Sequence, residues 1–515
     1  MSDPRAPRVR RLRGNLLATY GVYAVSLASG LVVTPVVYHA LGREEFGLWS
    51  FVLSASVLLT LLDLGVAPTI VRFSAAYRGA GEEERTSELA SVGLVVYAVV
   101  GTLSILLGLV LAWIVPWLTD VPTGLVGEVR LATLLLVVGV GLRLPLGLFV
   151  SLLSGRQRYD VVNWSNAVAV ALYAAAVVVV LERGGGIVVV AALFLGMTLV
   201  RLSLPLLFVW RELPFLRLRP SLVTRARIRE VLTVSGHNAV VHLAAKVVFS
   251  TDVIVVGIVL GPAAAALYAI PARLFELLFG LGTAGPGLLY AAYAELEGAA
   301  QAERQRRLLL SGLRVGMGLA LALGLPLVLI PDLLIRSWVG DGLEESTAVG
   351  VLLGLALIVR QPAHMLSQFL IARGAQRPLA RVVLAVVLVN LAGSILLAWA
   401  VGIWGVALST LATEALAAVV LIPTLVQRTA GIPRRALAAA VVRPVPGALA
   451  VAAVVLVGAA RLVEPDSLLV LAPVGALWVA GLAPVLWRLG LDRREREELR
   501  RRMLARRAGG ALVLD

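Results

Sequence analysis

The sequence has no cysteine, a single lysine and four histidines, and each shortage removes a class of chemistry. Without cysteine there are no disulfides, thiolate metal ligands or cysteine nucleophiles. Lys246 is the sole lysine and no GK[ST] triplet surrounds it, so a phosphate-cradling P-loop is excluded. His39, His237, His242 and His364 show no HExxH spacing and no acidic cluster beside them, so neither a metal site nor a cofactor is expected. Charge is scarce too: 15% of the 515 residues are charged against 59% hydrophobic, and the mean hydropathy is +0.93. That balance lies outside the range of soluble globular proteins.

Long apolar blocks fill the chain instead. A helix crossing the hydrocarbon core needs about 20 mainly apolar residues. Fourteen such stretches can be read, from 15–38 and 46–70 at the start, through 233–260 and 263–290, to 440–461 and 467–488 at the end. The sequence therefore predicts an all-α polytopic membrane protein of about 14 transmembrane helices. The first stretch lacks a small-residue cleavage site before Arg43, Glu44 and Glu45, so it is expected to remain as a span.

Of the 46 cations, 35 precede the first span, lie in every second loop or follow the last span; five lie in the alternate loops and six inside spans. Arg and Lys concentrate on the cytoplasmic side of spanning segments, which predicts a cell-membrane protein with both termini in the cytoplasm. The net charge of +15 falls almost wholly on that face, where anionic lipid attracts it, and no nucleic-acid partner is needed to explain it. The segment 491–507 carries Glu/Arg pairs at helical spacing and reads as a basic helix on the membrane surface. Trp49, Trp113, Trp117, Trp338, Trp399 and Trp404 fall near the expected outer boundary, as in an interfacial belt.

Two places repeat at an offset of 219 residues: Leu41-Gly42 with Leu48-Trp49 matches Leu260-Gly261 with Leu267-Tyr268, and Gly155-Arg156-Gln157-Arg158 matches Gly374-Ala375-Gln376-Arg377. A repeat of six spans is even, so both copies enter the membrane with the same polarity, as parallel repeats do. The expected division is a six-helix lobe over 1–219, a second over 220–430, an appended helix pair over 431–490 and a cytoplasmic basic tail over 491–515.

The N-terminal copy contains Thr34-Pro35, Tyr38, Leu41-Gly42, Glu45-Phe46-Gly47 and Trp49, then Leu62-Asp63-Leu64-Gly65 and Gly155 to Tyr159. The second contains Thr251-Asp252, Gly257, Tyr268, Arg273-Leu274 and Gly402-Ile403-Trp404-Gly405. In order and spacing these resemble the oligosaccharide flippase family, the Wzx-like polysaccharide transporters of the multidrug/oligosaccharidyl-lipid/polysaccharide exporter superfamily. The resemblance implies movement of a polyprenyl-diphosphate-linked oligosaccharide from the inner to the outer leaflet, by alternating access between two lobes. It implies that lipid-linked glycan and membrane lipids as partners, polysaccharide assembly proteins alongside, and no enzymatic activity. Drug exporters of the superfamily tend to carry an acid in the first span and lipid II flippases an Arg-Asp pair there; this first span has neither.

Charged side chains inside spans cost roughly 2.5–3.5 kcal/mol on insertion scales and usually face a cavity or a partner. The intramembrane cations are Arg143, Arg201, Lys246, Arg273, Arg314 and Arg360, and the acids are Asp63, Asp252, Glu276 and Glu414. A diphosphate needs compensating positive charge, and Arg supplies the fork that fits phosphate oxygens. Asn238, His242, Lys246 and Ser250 recur every four residues, as do Arg360, His364 and Gln368, which puts each set on one helix face. Arg143, Arg201, His242, Lys246, Arg360 and His364 are accordingly the expected substrate-binding residues. Asp252 and Arg273 lie nearly equidistant from the Gly261-Pro262 turn and are expected to form a structural ion pair. Glu414 is a candidate coupling site, which keeps a cation-coupled multidrug exporter as the alternative function. A membrane enzyme would need paired carboxylates, for which only the loop with Asp332, Asp341, Glu344 and Glu345 offers material.

Overall fold

The computed structural model describes residues 6–63, 65–283, 286–299, 301–464, 469, 471–490 and 496–497; within these, the side chains of 6–20, 236–249, 286–288 and 291 are not described. The basic tail expected over 491–507 lies almost wholly outside the described residues, which there comprise only Arg496 and Glu497. Among the described residues every regular element is helical. In chain order they are α1 (Ala6–Leu59), α2 (Val66–Ala80), α3 (Glu83–Leu118), α4 (Val126–Gly155), α5 (Tyr159–Leu181), α6 (Ile187–Glu212), α7 (Arg225–Leu260), α8 (Pro262–Thr283) and α9 (Pro286–Gly298). There follow α10 (Ala302–Leu329), α11 (Pro331–Val339), α12 (Glu344–Ala372), α13 (Gln376–Val401), α14 (Ile403–Ala415), α15 (Ile422–Ala430), α16 (Arg434–Val442), α17 (Val445–Leu462) and α18 (Leu471–Val485).

Twelve described helical segments are long and apolar enough to cross a membrane, and the count of fourteen is not reproduced. The difference arises at two places. Residues 21–63 run as one segment where two spans are expected, because the break between them is a single kinked residue. The expected span 233–260 is described with side chains only from Ser250, which leaves the short apolar helix Ser250–Leu260.

The kink within α1 is Gly42, at φ 72 and ψ 175, and α7 ends at Gly261 with φ 88 and ψ 173. This backbone is one that only glycine adopts without strain, so the 219-residue match joins two equivalent breaks. The second match has a different register. Gln157 and Gly374 carry the positive φ (61 and 77), and both turns close with the same bonds: Gln157 N–H to Ser154 O and Arg158 N–H to Leu153 O, Gly374 N–H to Ile371 O and Ala375 N–H to Leu370 O. Equivalence therefore runs Gln157 to Gly374, 217 residues apart, and the Gly155/Gly374 match in the sequence is coincidental there.

The chain divides into two compact units, one of residues 1–273 with 383–406 and one of 274–382 with 407–515. In the first, Ile70, Val92, Leu148, Leu152 and Leu153 form the core where α2, α3 and α4 meet. Gly47 on α1 touches the backbone carbonyl of Pro262 so closely that a Cβ has no room. In the second, α10, α17 and α18 enclose Leu321, Ala452 and Trp478, and the Trp478 indole N–H donates to Ala322 O at 2.8 Å. Arg314 is buried on α10 and donates to the carbonyl of Gly490 at 3.2 Å, a cation at the end of a helical segment.

Of the six tryptophans expected at the interface, Trp113, Trp117, Trp399 and Trp404 are exposed, and the Arg130 guanidinium lies 4.1 Å from the Trp113 ring. Trp49 and Trp338 are instead core residues. Trp49 packs edge-on against Phe194 at 6.0 Å, and Trp338 belongs to the buried face of the short amphipathic α11 with Leu333 and Ile335.

Candidate functional site

In the first unit, α4 and α6 pack side by side, and each contributes one arginine to the same hollow. Arg143 lies twelve residues before the end of α4 and Arg201 eleven before the end of α6. At 1.5 Å per residue they sit about 18 Å and about 17 Å from those ends, so they share one depth. The cavity has a volume of about 90 Å³. Ser56, Thr60 and Thr198 also line it, and the rest of the wall is apolar, with Leu53, Leu136 and Phe194 among its members.

Arg201 and Arg143 are both exposed at their surfaces, and both line the hollow. Each guanidinium lies within the other's field, since Arg143 is the charge acting on Arg201. No carboxylate lines the cavity, and among the described residues neither arginine has an ion pair or hydrogen bond. Two like charges at this depth repel and are poorly solvated, so the hollow is electrostatically prepared for an anion with more than one oxygen to share. The neighbouring acid is already engaged: Asp63 accepts from the Tyr97 hydroxyl at 2.9 Å and from the Ala67 N–H at 3.3 Å, holding the start of α2.

The second unit treats its intramembrane cation differently. Arg360 on α12 forms an ion pair with Glu414 on α14, both largely buried, and stacks over Phe279 at 4.9 Å. One turn further, His364 meets the edge of the same Phe279 ring at 5.8 Å, and Gln368 lies 3.4 Å from its Nε2. Gln361 donates to Gly282 O at 2.5 Å. The helix bulges into a π turn at Leu416–Leu421, two residues past Glu414.

Arg143 and Arg201 are thus brought together, as are Arg360, His364 and Glu414. His242 and Lys246 lie on α7, but their side chains fall outside the described residues. Asp252 is buried and accepts from the Tyr268 hydroxyl at 2.8 Å and the Ser394 hydroxyl at 3.4 Å. Sequence reasoning missed Ser56, Thr60 and Thr198 as lining residues; hydroxyl residues inside spans were the only available signal. On α11 and just past its end, Arg336 bonds Asp341 at 2.7 Å and approaches Asp332 at 3.5 Å. The hydrogen bond to Asp341 and the two carboxylate charges raise the Arg336 pKa above its ordinary value. These acids neutralise an arginine rather than form a catalytic pair, and Glu344 and Glu345 begin α12.

Apolar helices long enough to span a bilayer, packed around a hollow that two arginines and no acid line, define a multi-pass membrane protein. The chain belongs to the family described as polysaccharide biosynthesis protein, whose pattern matches residues 12–282, just over half of its length. Its fold is similar to that of the lipid II flippase MurJ in an inward closed conformation, with a TM-score of 0.69 and 11% identity, covering 92% of this chain and 98% of that one. A multidrug resistance MATE family transporter of the MOP superfamily, in an inward-facing conformation, gives 0.63 at 13% identity over 80% and 94% of the two chains. The eukaryotic MATE transporter AtDTX14 gives 0.60 at 16% identity over 85% and 99%. At these identities the likeness is one of fold. No curated protein sequence matches the chain.

Proposed function

We propose that this protein is a flippase that carries a polyprenyl-diphosphate-linked oligosaccharide from the inner to the outer leaflet of the cell membrane, for export of surface polysaccharide. The observation that carries this reading is the Arg143/Arg201 hollow, two cations at one depth with no lining carboxylate. A diphosphate is the anionic part of such a lipid, and two guanidinium forks match its oxygens. Membership of the polysaccharide biosynthesis family supports the glycan, and the flippase named among the similar folds supports a lipid-linked form of it. In this reading the repeats over 1–219 and 220–430 alternate access, the pair over 431–490 is appended, and both termini are cytoplasmic. His242 and Lys246 add positive charge to the path, and Arg360 with His364 serves it once Glu414 releases the arginine. No P-loop is present, so an ion gradient or consumption of the product outside drives the cycle.

The buried acid Glu414 favours a second reading, a cation-coupled multidrug exporter, in which protonation of Glu414 breaks its pair with Arg360. Surface-polysaccharide staining of cells that depend on this chain separates the two. Arg143→Ala/Arg201→Ala is expected to abolish the polymer while the protein still inserts. Normal polymer in that variant, together with drug efflux that fails in Glu414→Gln, favours the exporter.

A further inference from the structure

The segment joining α6 to α7 is a fixed strap. Leu213 and Leu216 are buried in the core of the first unit, with Phe215, Leu218 and Val223 packed against it. Two hydroxyls one turn apart on α3 hold its backbone: Ser87 Oγ accepts the Arg217 N–H at 3.2 Å and Ser91 Oγ accepts the Arg219 N–H at 3.1 Å. A short turn at Pro220–Leu222 and the Thr224 cap, which accepts the Arg227 N–H at 3.3 Å, then lead into α7. Leu216 and Leu218 alternate inward with Arg217 and Arg219 outward, as in an extended chain.

The acids nearby are already used. Glu212 pairs with Arg158, while Glu88 and Glu230 both pair with Arg227, at 3.2 and 2.8 Å. Arg211, Arg217, Arg219, Arg225 and Arg229 are exposed, and among the described residues none has an ion pair. Arg225 and Arg229 flank an open depression of about 410 Å³ whose other walls are Ile228, Leu232 and Thr233. Beside Arg211 stands Trp210, half exposed and touching Phe149, at the end of a spanning helix where an indole marks the headgroup level.

We infer that this strap is a docking site for anionic phospholipid headgroups, in which Arg225 and Arg229 hold a phosphodiester and Leu232 meets the glycerol and first methylenes below it. Charge, the apolar floor of the depression and the interfacial depth of Trp210 together fit a lipid and not a soluble acid. Pinning by Ser87 and Ser91 means that the backbone carrying Arg217 and Arg219, next to Arg225 and Arg229, need not be ordered when the lipid arrives. The inference rests on the membrane-spanning reading and not on the identity of the transported molecule.

Native mass spectrometry of the full chain, released from detergent and titrated separately with phosphatidylglycerol and phosphatidylcholine, tests it. The wild type is expected to retain phosphatidylglycerol preferentially. Replacing Arg217, Arg219, Arg225 and Arg229 together by Gln is expected to weaken that retention about tenfold or more, since each arginine near an anionic surface is worth about fivefold. Arg428→Gln/Arg435→Gln, exposed cations in and after α15 without such a strap, is expected to lose clearly less than the fourfold variant. Ser87→Ala/Ser91→Ala keeps every cation and is expected to fall in between. Unchanged retention in the fourfold variant, equal loss in the Arg428/Arg435 control, an unaffected Ser87/Ser91 variant, or displacement of the lipid by inorganic phosphate each overturns the inference.

Discussion

Arg360 and Glu414, 54 residues apart, neutralise one another inside the second unit, with the Phe279 ring on the face of the guanidinium. An ion pair at this depth holds together because each partner answers the other's desolvation. Losing either one leaves a bare charge, which in buried pairs costs about 3–5 kcal/mol. Arg360→Gln and Glu414→Gln are each expected to lower the thermal midpoint in detergent, and the double variant to recover much of the loss. Additive losses in the double-mutant cycle would mean that the pair does not act as a unit.

Tyr97 and Asp63 make a smaller prediction. The tyrosine hydroxyl and the Ala67 N–H both donate to the same carboxylate oxygen, so Asp63 ties α3 to the start of α2. Tyr97→Phe removes one of these bonds and is expected to cost about 1 kcal/mol. Asp63→Ala removes both and is expected to cost more, with faster hydrogen exchange confined to α2. An Asp63→Ala variant as stable and as protected as wild type contradicts the tie.

Two glycines should respond in opposite senses to the same methyl group. At Gly47 a Cβ meets the Pro262 backbone carbonyl, which cannot rotate away, whereas at Gly147 nothing lies within 4 Å. Gly47→Ala is expected to destabilise by about 1–3 kcal/mol through overpacking. Gly147→Ala is expected to be neutral or to gain about 0.5–1 kcal/mol, because Ala restricts the unfolded chain. Denaturation of both variants under one condition checks the contrast.

Much of the membrane architecture was legible because bilayer thickness imposes a length and composition that show in a single chain. Gly42 and Gly261 were legible as equivalent points for a related reason: a backbone at φ near 80 leaves glycine as the residue that fits. The turn after α4 was misaligned because a non-glycine, Gln157, carries its positive φ, so the visible Gly155 attracted the wrong partner. Trp49 and Trp338 were misplaced because sequence position gives depth along a helix but not which side faces lipid. The pairing of Arg360 with Glu414 was hidden for the same reason: each was visible as an intramembrane charge, but their contact depends on how α12 and α14 rotate against each other. The nearness of Arg143 and Arg201 likewise comes from the packing of α4 on α6.

Leaflet-resolved transport distinguishes whether Arg143 and Arg201 receive a lipid diphosphate. Purified protein in vesicles is given a fluorescent polyprenyl-diphosphate N-acetylglucosamine in the inner leaflet, and its appearance outside is read by quenching with a membrane-impermeant reductant. The wild type is expected to accelerate exchange over empty vesicles, Arg143→Gln and Arg201→Gln each to reduce the rate, and the double variant to return it to the empty-vesicle level. The Arg217/Arg219/Arg225/Arg229 variant should retain transport in neutral lipid. Wild-type exchange by the double arginine variant, or no exchange by wild type beyond empty vesicles, contradicts the account.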